Sequence, residues 1–244
     1  MLRPCFAILT LLLAANSLSS AEFSVKTQTT KSEKPLRYWL YLPDEVIKSV
    51  AQGGKGTSFP LVLFLHGGGE GGDNPQKVKK NGLPKLIAEG KQFPFIMLAP
   101  HNPSETQHWD DQKLIQLLDE VQSKHPVNPS RVYLTGLSRG GYGAWRLGIQ
   151  NPDRFAAIVP ICGGGLLPYA KRLKQVPIWV FHGAKDTTIP ISESQRMVDA
   201  LKEVDGNVLF TVYPDANHDA WTQTYDNPEL YKWMLEQKRK TPTP

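Results

Sequence analysis

At 244 residues, with 40% hydrophobic and 21% charged residues, the chain is long enough to bury the core of one large domain and too apolar to remain unfolded. Its net charge of +5 arises from 28 basic and 23 acidic residues dispersed along the sequence. A nucleic-acid-binding face needs basic residues clustered on one side, so that class of partner is excluded, and Lys238-Arg239-Lys240 reads as a solvated tail.

The single arginine within Met1 to Pro4, the apolar run Cys5 to Ala15 and the small residues Ser19-Ser20-Ala21 predict an export signal over residues 1–21, cleaved after Ala21. Residues 22–244 are then one exported domain, secreted or periplasmic, with no membrane contact once the signal is removed. The run is short for a bilayer span, and an uncleaved anchor is the alternative. Cleavage also removes Cys5, leaving Cys162 as the one cysteine of the mature chain. It ends the apolar stretch Phe155 to Ile161, where a thiol packs as a small hydrophobe; a reactive thiolate is the sharper alternative.

Phe23 to Thr30 and Leu36 to Leu42 read as two strands of an opening hairpin, and Pro43 to Val50 as a short helical turn. Pro60 to His66 is apolar up to its last residue, as expected of a parallel strand buried on both faces. A helix over Lys79 to Gly90, a strand over Phe95 to Ala99 and a helix over Lys113 to Lys124 follow. Asn128-Pro129-Ser130 turns the chain into the strand Arg131 to Thr135. Further strands are predicted at Phe155 to Cys162, Pro177 to His182 and Asn207 to Tyr213, with helices at Ser192 to Val204 and Pro228 to Gln237. Strands alternating with helices give a mostly parallel, doubly wound α/β sheet flanked by helices, with an N-terminal antiparallel hairpin.

The chemistry gathers around Gly136-Leu137-Ser138-Arg139-Gly140, a G-x-S-x-G run between a strand and a helix-compatible stretch. In that context the serine sits on a strained turn with its hydroxyl exposed; the plain alternative is a βα turn whose glycines only permit close packing. An activated serine needs a histidine base and a carboxylate to orient it. Asp186 and then His218 follow in loops directly after apolar strands, which predicts that all three side chains meet at one sheet edge. Asp215 and Asp219 are the other acids near His218, but neighbours in one loop seldom face each other correctly.

His66-Gly67-Gly68-Gly69 leaves an early strand, and glycines there let N–H groups turn toward an anion. The backbone N–H of Arg139 and that of Gly68 are therefore the predicted oxyanion donors. Phosphate binding is disfavoured, because no Gly-Lys-Ser/Thr follows. His66 and His182 are expected to orient loops. Trp109 is either a wall of the substrate pocket or packing over the sheet. His101 and His108 lack a third, suitably spaced ligand for a metal.

These segments, with Pro160-Ile161-Cys162-Gly163-Gly164, Phe181 to Asp186 and His218-Asp219-Ala220-Trp221, resemble the secreted α/β-hydrolase serine esterases. That group includes prolyl-oligopeptidase-like, dienelactone-hydrolase-like and phospholipase/carboxylesterase-like proteins, with polyhydroxybutyrate depolymerases, feruloyl esterases and acetyl xylan esterases as related branches. The resemblance implies the α/β-hydrolase fold and a serine carboxylesterase acting through an acyl-enzyme, with no cofactor and no metal. Within that class phenolic or acetyl esters of plant polysaccharide are the expected substrates, since a small lidless domain with exposed tryptophans suits bulky substrates, and a monomer is the expected state. Trp221 is then an acyl-pocket or aromatic-subsite residue, or plain packing. Asn217 departs from the pattern, since many relatives carry glycine before the histidine. A serine peptidase and a non-catalytic binding module on the same fold are the competing functions.

Overall fold

The computed structural model describes residues 21–29, 35–53 and 56–239. Residues 1–20, on which the expected export signal rests, lie outside them. The strands are β1 (Glu22–Thr27), β2 (Arg37–Leu42), β3 (Phe59–Leu65), β4 (Ile96–Pro100), β5 (Val127–Leu137), β6 (Ala157–Ile161), β7 (Ile178–Gly183) and β8 (Val208–Tyr213). They form one sheet in the order β1-β2-β4-β3-β5-β6-β7-β8. The first two make the antiparallel hairpin, β2 is antiparallel to β4, and every other pairing is parallel.

β3 explains why its sequence is continuously apolar. Leu61, Leu63 and Leu65 join the core on one face, and Val62 and Phe64 join that on the other. Side chains of a strand alternate between faces, so a central strand covered on both sides has no position left for a polar residue.

The helices are α1 (Asp44–Ala51), α2 (Gly82–Ala88), α3 (Asp111–Lys124), α4 (Arg139–Gln150), α5 (Ser192–Lys202), α6 (Trp221–Asp226) and α7 (Pro228–Glu236). α3 buries Leu114, Leu117, Leu118 and Val121 on one stripe, and Asp110 caps it by accepting from the Lys113 N–H. α5 turns Met197, Val198 and Leu201 inward, as its periodicity predicts.

Two boundaries and one helix stand out among the differences from expectation. The helix predicted from Lys79 starts at Gly82, after a 3₁₀ segment Pro75–Lys80, because Asn81 is extended and Gly82 takes a left-handed φ of 62°. β5 runs back through Asn128-Pro129-Ser130 to Val127, which pairs with Phe59 across an irregular register. α6 was not foreseen at all; six residues carry too little periodicity to announce a helix.

The order β4-β3-β5 means that the chain leaves β3 to one side and returns on the other. The ends of β3 and β5 lie side by side at this switch, which in open α/β sheets is where ligands reach the strands. The glycine loop and the G-x-S-x-G turn both start there. α4 is set down so close to β3 that a Cβ built on Gly140 would lie 1.9 Å from the Leu65 carbonyl oxygen.

Candidate active site

Ser138 occupies the turn between β5 and α4 with φ 55° and ψ −119°. That conformation is costly for any residue but glycine, and it persists because its surroundings hold it: the Ser138 N–H donates to Ile161 O at 2.9 Å. His218 Nε2 lies 2.9 Å from Ser138 Oγ, and His218 Nδ1 lies 2.7 Å from Asp186 Oδ2. The structure thus brings together the three side chains that the loop positions predicted to meet. With Nδ1–H donated to the carboxylate, the Nε2 lone pair faces the serine hydroxyl.

Asp186 has a fully buried side chain, and its other oxygen accepts from the Thr188 and Ile189 N–H groups, each at 2.9 Å. Burial would raise its pKa, but the hydrogen bond with His218 and those from Ile189 and Thr188 outweigh that and hold the carboxyl below its ordinary value. The carboxylate is charged and oriented at neutral pH. Asp215, by contrast, is an exposed side chain paired with Lys185, and Asp219 is taken up by Thr222.

His182 braces the acid from behind. Its Nε2 is 3.2 Å from Asp186 Oδ2 and 2.9 Å from Ile189 O, while Nδ1 meets Ser194 Oγ at 2.7 Å. Cys162 completes this corner, with its sulfur 3.3 Å from His218 O and burial pushing its pKa up to about 12. It remains a thiol at neutral pH, which is the packing reading and not the nucleophilic one. The ligand atoms of Cys162, His182 and Asp186 lie within 4.8 Å of one another, close enough to suggest a metal. His182 is already bonded to Ser194 and Ile189, and Asp186 to His218, Thr188 and Ile189, so two of the three donors are committed elsewhere.

Arg139 and Gly68 each open a helical turn, α4 and the 3₁₀ segment Gly68–Glu70, where N–H groups have no acceptor within the turn. A Cβ built on Gly67 would stand 3.4 Å from Ser138 Cβ, so the glycine loop flanks the serine directly. Trp221 packs edge-on against His218, ring centroids 5.1 Å apart. Trp109 does not join them. It is 4% exposed, lies edge-on to His66 and fills the space left by Gly143. What surface it keeps lines a cleft of about 740 Å³ with Asn102, Ser104 and Glu105, and none of Ser138, Asp186 and His218 borders that cleft. Trp109 is thus packed beneath α4 and His66.

His66 and His101 are buried and held neutral, with pKa lowered to about 3 and about 4, chiefly by burial. His108 is exposed. The unfolded chain takes up protons at both buried positions below the ordinary 6.5, and the folded chain does not until far lower pH. Stability is therefore expected to fall as pH drops from 6.5 toward 4, by about 1.4 kcal/mol per pH unit for each histidine. Urea denaturation across that window checks this, and an undiminished slope in His101→Gln would contradict it.

Known proteins resemble the chain in sequence and in fold. A family model described as phospholipase/carboxylesterase matches residues 83–227. The bifunctional acetylxylan esterase/xylanase XynS20E of Neocallimastix patriciarum is 24% identical over 180 residues, 71% of this chain and 26% of that protein. Acyl-protein thioesterase 1 of Gibberella zeae is 25% identical over 128 residues, covering 49% of this chain and 54% of its own length. The chain thus spans about a quarter and about half of these two relatives. Among solved structures, a thermostable esterase superposes with a TM-score of 0.74 at 29% identity, covering 89% of this chain and 63% of that one. The feruloyl esterase module of Clostridium thermocellum complexed with sinapinate shares the fold, with a TM-score of 0.67 at 16% identity and coverage of 93% and 92%. With the mostly parallel sheet, the turn carrying Ser138 and a family match over more than half of its length, the chain belongs to the phospholipase/carboxylesterase family of α/β-hydrolases.

Proposed function

We propose that this protein is a serine carboxylesterase working through an acyl-enzyme on Ser138, with Asp186 and His218 as its other catalytic residues. The observation that carries the reading is the unbroken hydrogen-bond run from Asp186 through His218 to Ser138, at 2.7 and 2.9 Å. As Ser138 Oγ bonds to the ester carbonyl carbon, His218 Nε2 takes its proton and Asp186 stabilises the imidazolium. The Arg139 and Gly68 N–H groups receive the oxyanion. Collapse breaks the bond to the alcohol, which leaves with the proton from His218. Water then attacks acyl-Ser138 with His218 again as base, releasing the acid and restoring the serine.

The substrates we infer are acetyl or phenolic esters of plant polysaccharide. The likeness to a bifunctional acetylxylan esterase/xylanase supports this, as does the aromatic face that Trp221 sets against His218. The chain is further read as an exported monomer acting on such esters without nucleic-acid or membrane partners. The apolar run Cys5 to Ala15 supports export, and N-terminal sequencing of the native protein should begin at Glu22.

Purified protein is expected to turn over p-nitrophenyl acetate and methyl ferulate, and a fluorophosphonate should add one adduct, located by peptide mass at Ser138. Turnover of aminoacyl amides in place of esters would move the reading to a peptidase. Absence of both labelling and turnover would leave only a binding module.

A further inference from the structure

We propose that the side chain of Arg139 is a positioning residue for ester cleavage, holding the Gly67–Gly68 peptide so that the Gly68 N–H points at the oxyanion. This rests on the reading of Ser138 as nucleophile. The Gly67 carbonyl accepts from two donors, His66 Nδ1 at 2.7 Å and Arg139 Nη2 at 3.2 Å. A trans peptide is planar, so fixing its C=O aims its N–H the opposite way. The carbonyl that Arg139 grips belongs to the same peptide plane as the predicted oxyanion donor.

Packing holds that plane on the Gly67 side, where a Cβ would meet Leu137 Cδ1 at 2.9 Å and Glu70 Oε2 at 3.2 Å, but not beyond it. A Cβ built on Gly68 or Gly69 would meet nothing within 4 Å, so no packing at those positions resists rotation, and glycine backbone rotates readily. His66 is itself fixed, because its Nε2 accepts the Asn102 N–H at 3.0 Å and Nδ1 is left as the donor to Gly67. Arg139 is anchored at its far side by donating to Glu105 O at 2.8 Å. The guanidinium thus bridges the 105 loop and the glycine loop from a residue whose own N–H is the other predicted donor. One side chain makes the two halves of the oxyanion site move together.

Even partial burial of that guanidinium is costly. Among the described residues its Nε has no hydrogen-bond partner, and desolvation lowers its pKa, offset only in part by the buried Glu70. A residue serving stability alone would be better replaced by an apolar one, whereas orienting a peptide needs donors on a rigid fork.

The test compares wild type with Arg139→Lys, Arg139→Gln and Arg139→Ala on p-nitrophenyl acetate, with a trifluoromethyl ketone as tetrahedral-adduct analogue. Loss of a whole oxyanion donor costs about 10²–10³ in kcat, and His66 remains here, so kcat should fall about 10–100-fold with KM within about twofold. Affinity for the ketone should fall in parallel, lysine should retain more activity than glutamine, and added ethylguanidine should restore part of the loss in Arg139→Ala. Should the alanine variant fail to fold, the lysine and glutamine variants decide by the same kcat and ketone readings. Unchanged kcat in the folded variants, or a rise in KM alone with ketone affinity retained, overturns the proposal. A wild type that is itself neither labelled nor active overturns the nucleophile reading, a different failure.

Discussion

Ser138→Ala and His218→Ala are each expected to lower kcat on p-nitrophenyl acetate by about 10⁶-fold, and the double variant to lower it no further. The reason is the 2.9 Å contact between Ser138 Oγ and His218 Nε2. A serine hydroxyl without its base is an ordinary alcohol, and a base without the hydroxyl has no proton to take. Asp186→Asn should cost less, about 10⁴-fold, because the imidazole is still present but is presented in the wrong tautomer. Residual turnover then comes from the oxyanion donors and binding. Single-turnover rates on the four proteins measure this, and a double variant about 100-fold slower than either single one would show that the two groups act independently.

Gly140→Ala is expected to destabilise the protein by about 3 kcal/mol or more, and to impair turnover in whatever fraction folds. The added methyl would sit 1.9 Å from the Leu65 carbonyl oxygen and 2.8 Å from that of His66. Both obstacles are backbone, so no rotamer change relieves the clash. α4 would have to lift from β3, carrying Ser138 away from the glycine loop. Gly69→Ala provides the contrast: a Cβ there meets nothing within 4 Å and its φ is not left-handed, so it should be neutral or stabilising by up to about 1 kcal/mol. Urea midpoints of the two variants check the pair, and equal midpoints would mean that α4 does not depend on that close approach.

Much of the fold was legible because its signals are local. The apolar runs of β3, β4 and β7 mark strands buried on both faces, and the α3 and α5 stripes mark helices with one face inward. The start of α2 was not legible, since the left-handed φ of Gly82 depends on how the chain enters from the 3₁₀ segment before it. Trp109 was ambiguous because whether a tryptophan lines a pocket depends on what closes over it, here His66 and α4.

The order of the strands and of the helices other than α6, and the positions of Ser138, Asp186 and His218 in loops directly after apolar strands, follow from the sequence alone: hydrophobic periodicity and glycine placement act over a few residues. The hydrogen bonds among those three side chains, the brace of His182 on Asp186 and the grip of Arg139 on Gly67 were decided by tertiary structure. They join segments that meet only because the sheet is ordered β4-β3-β5-β6-β7-β8, and pairing between distant strands leaves no periodic trace in any one of them.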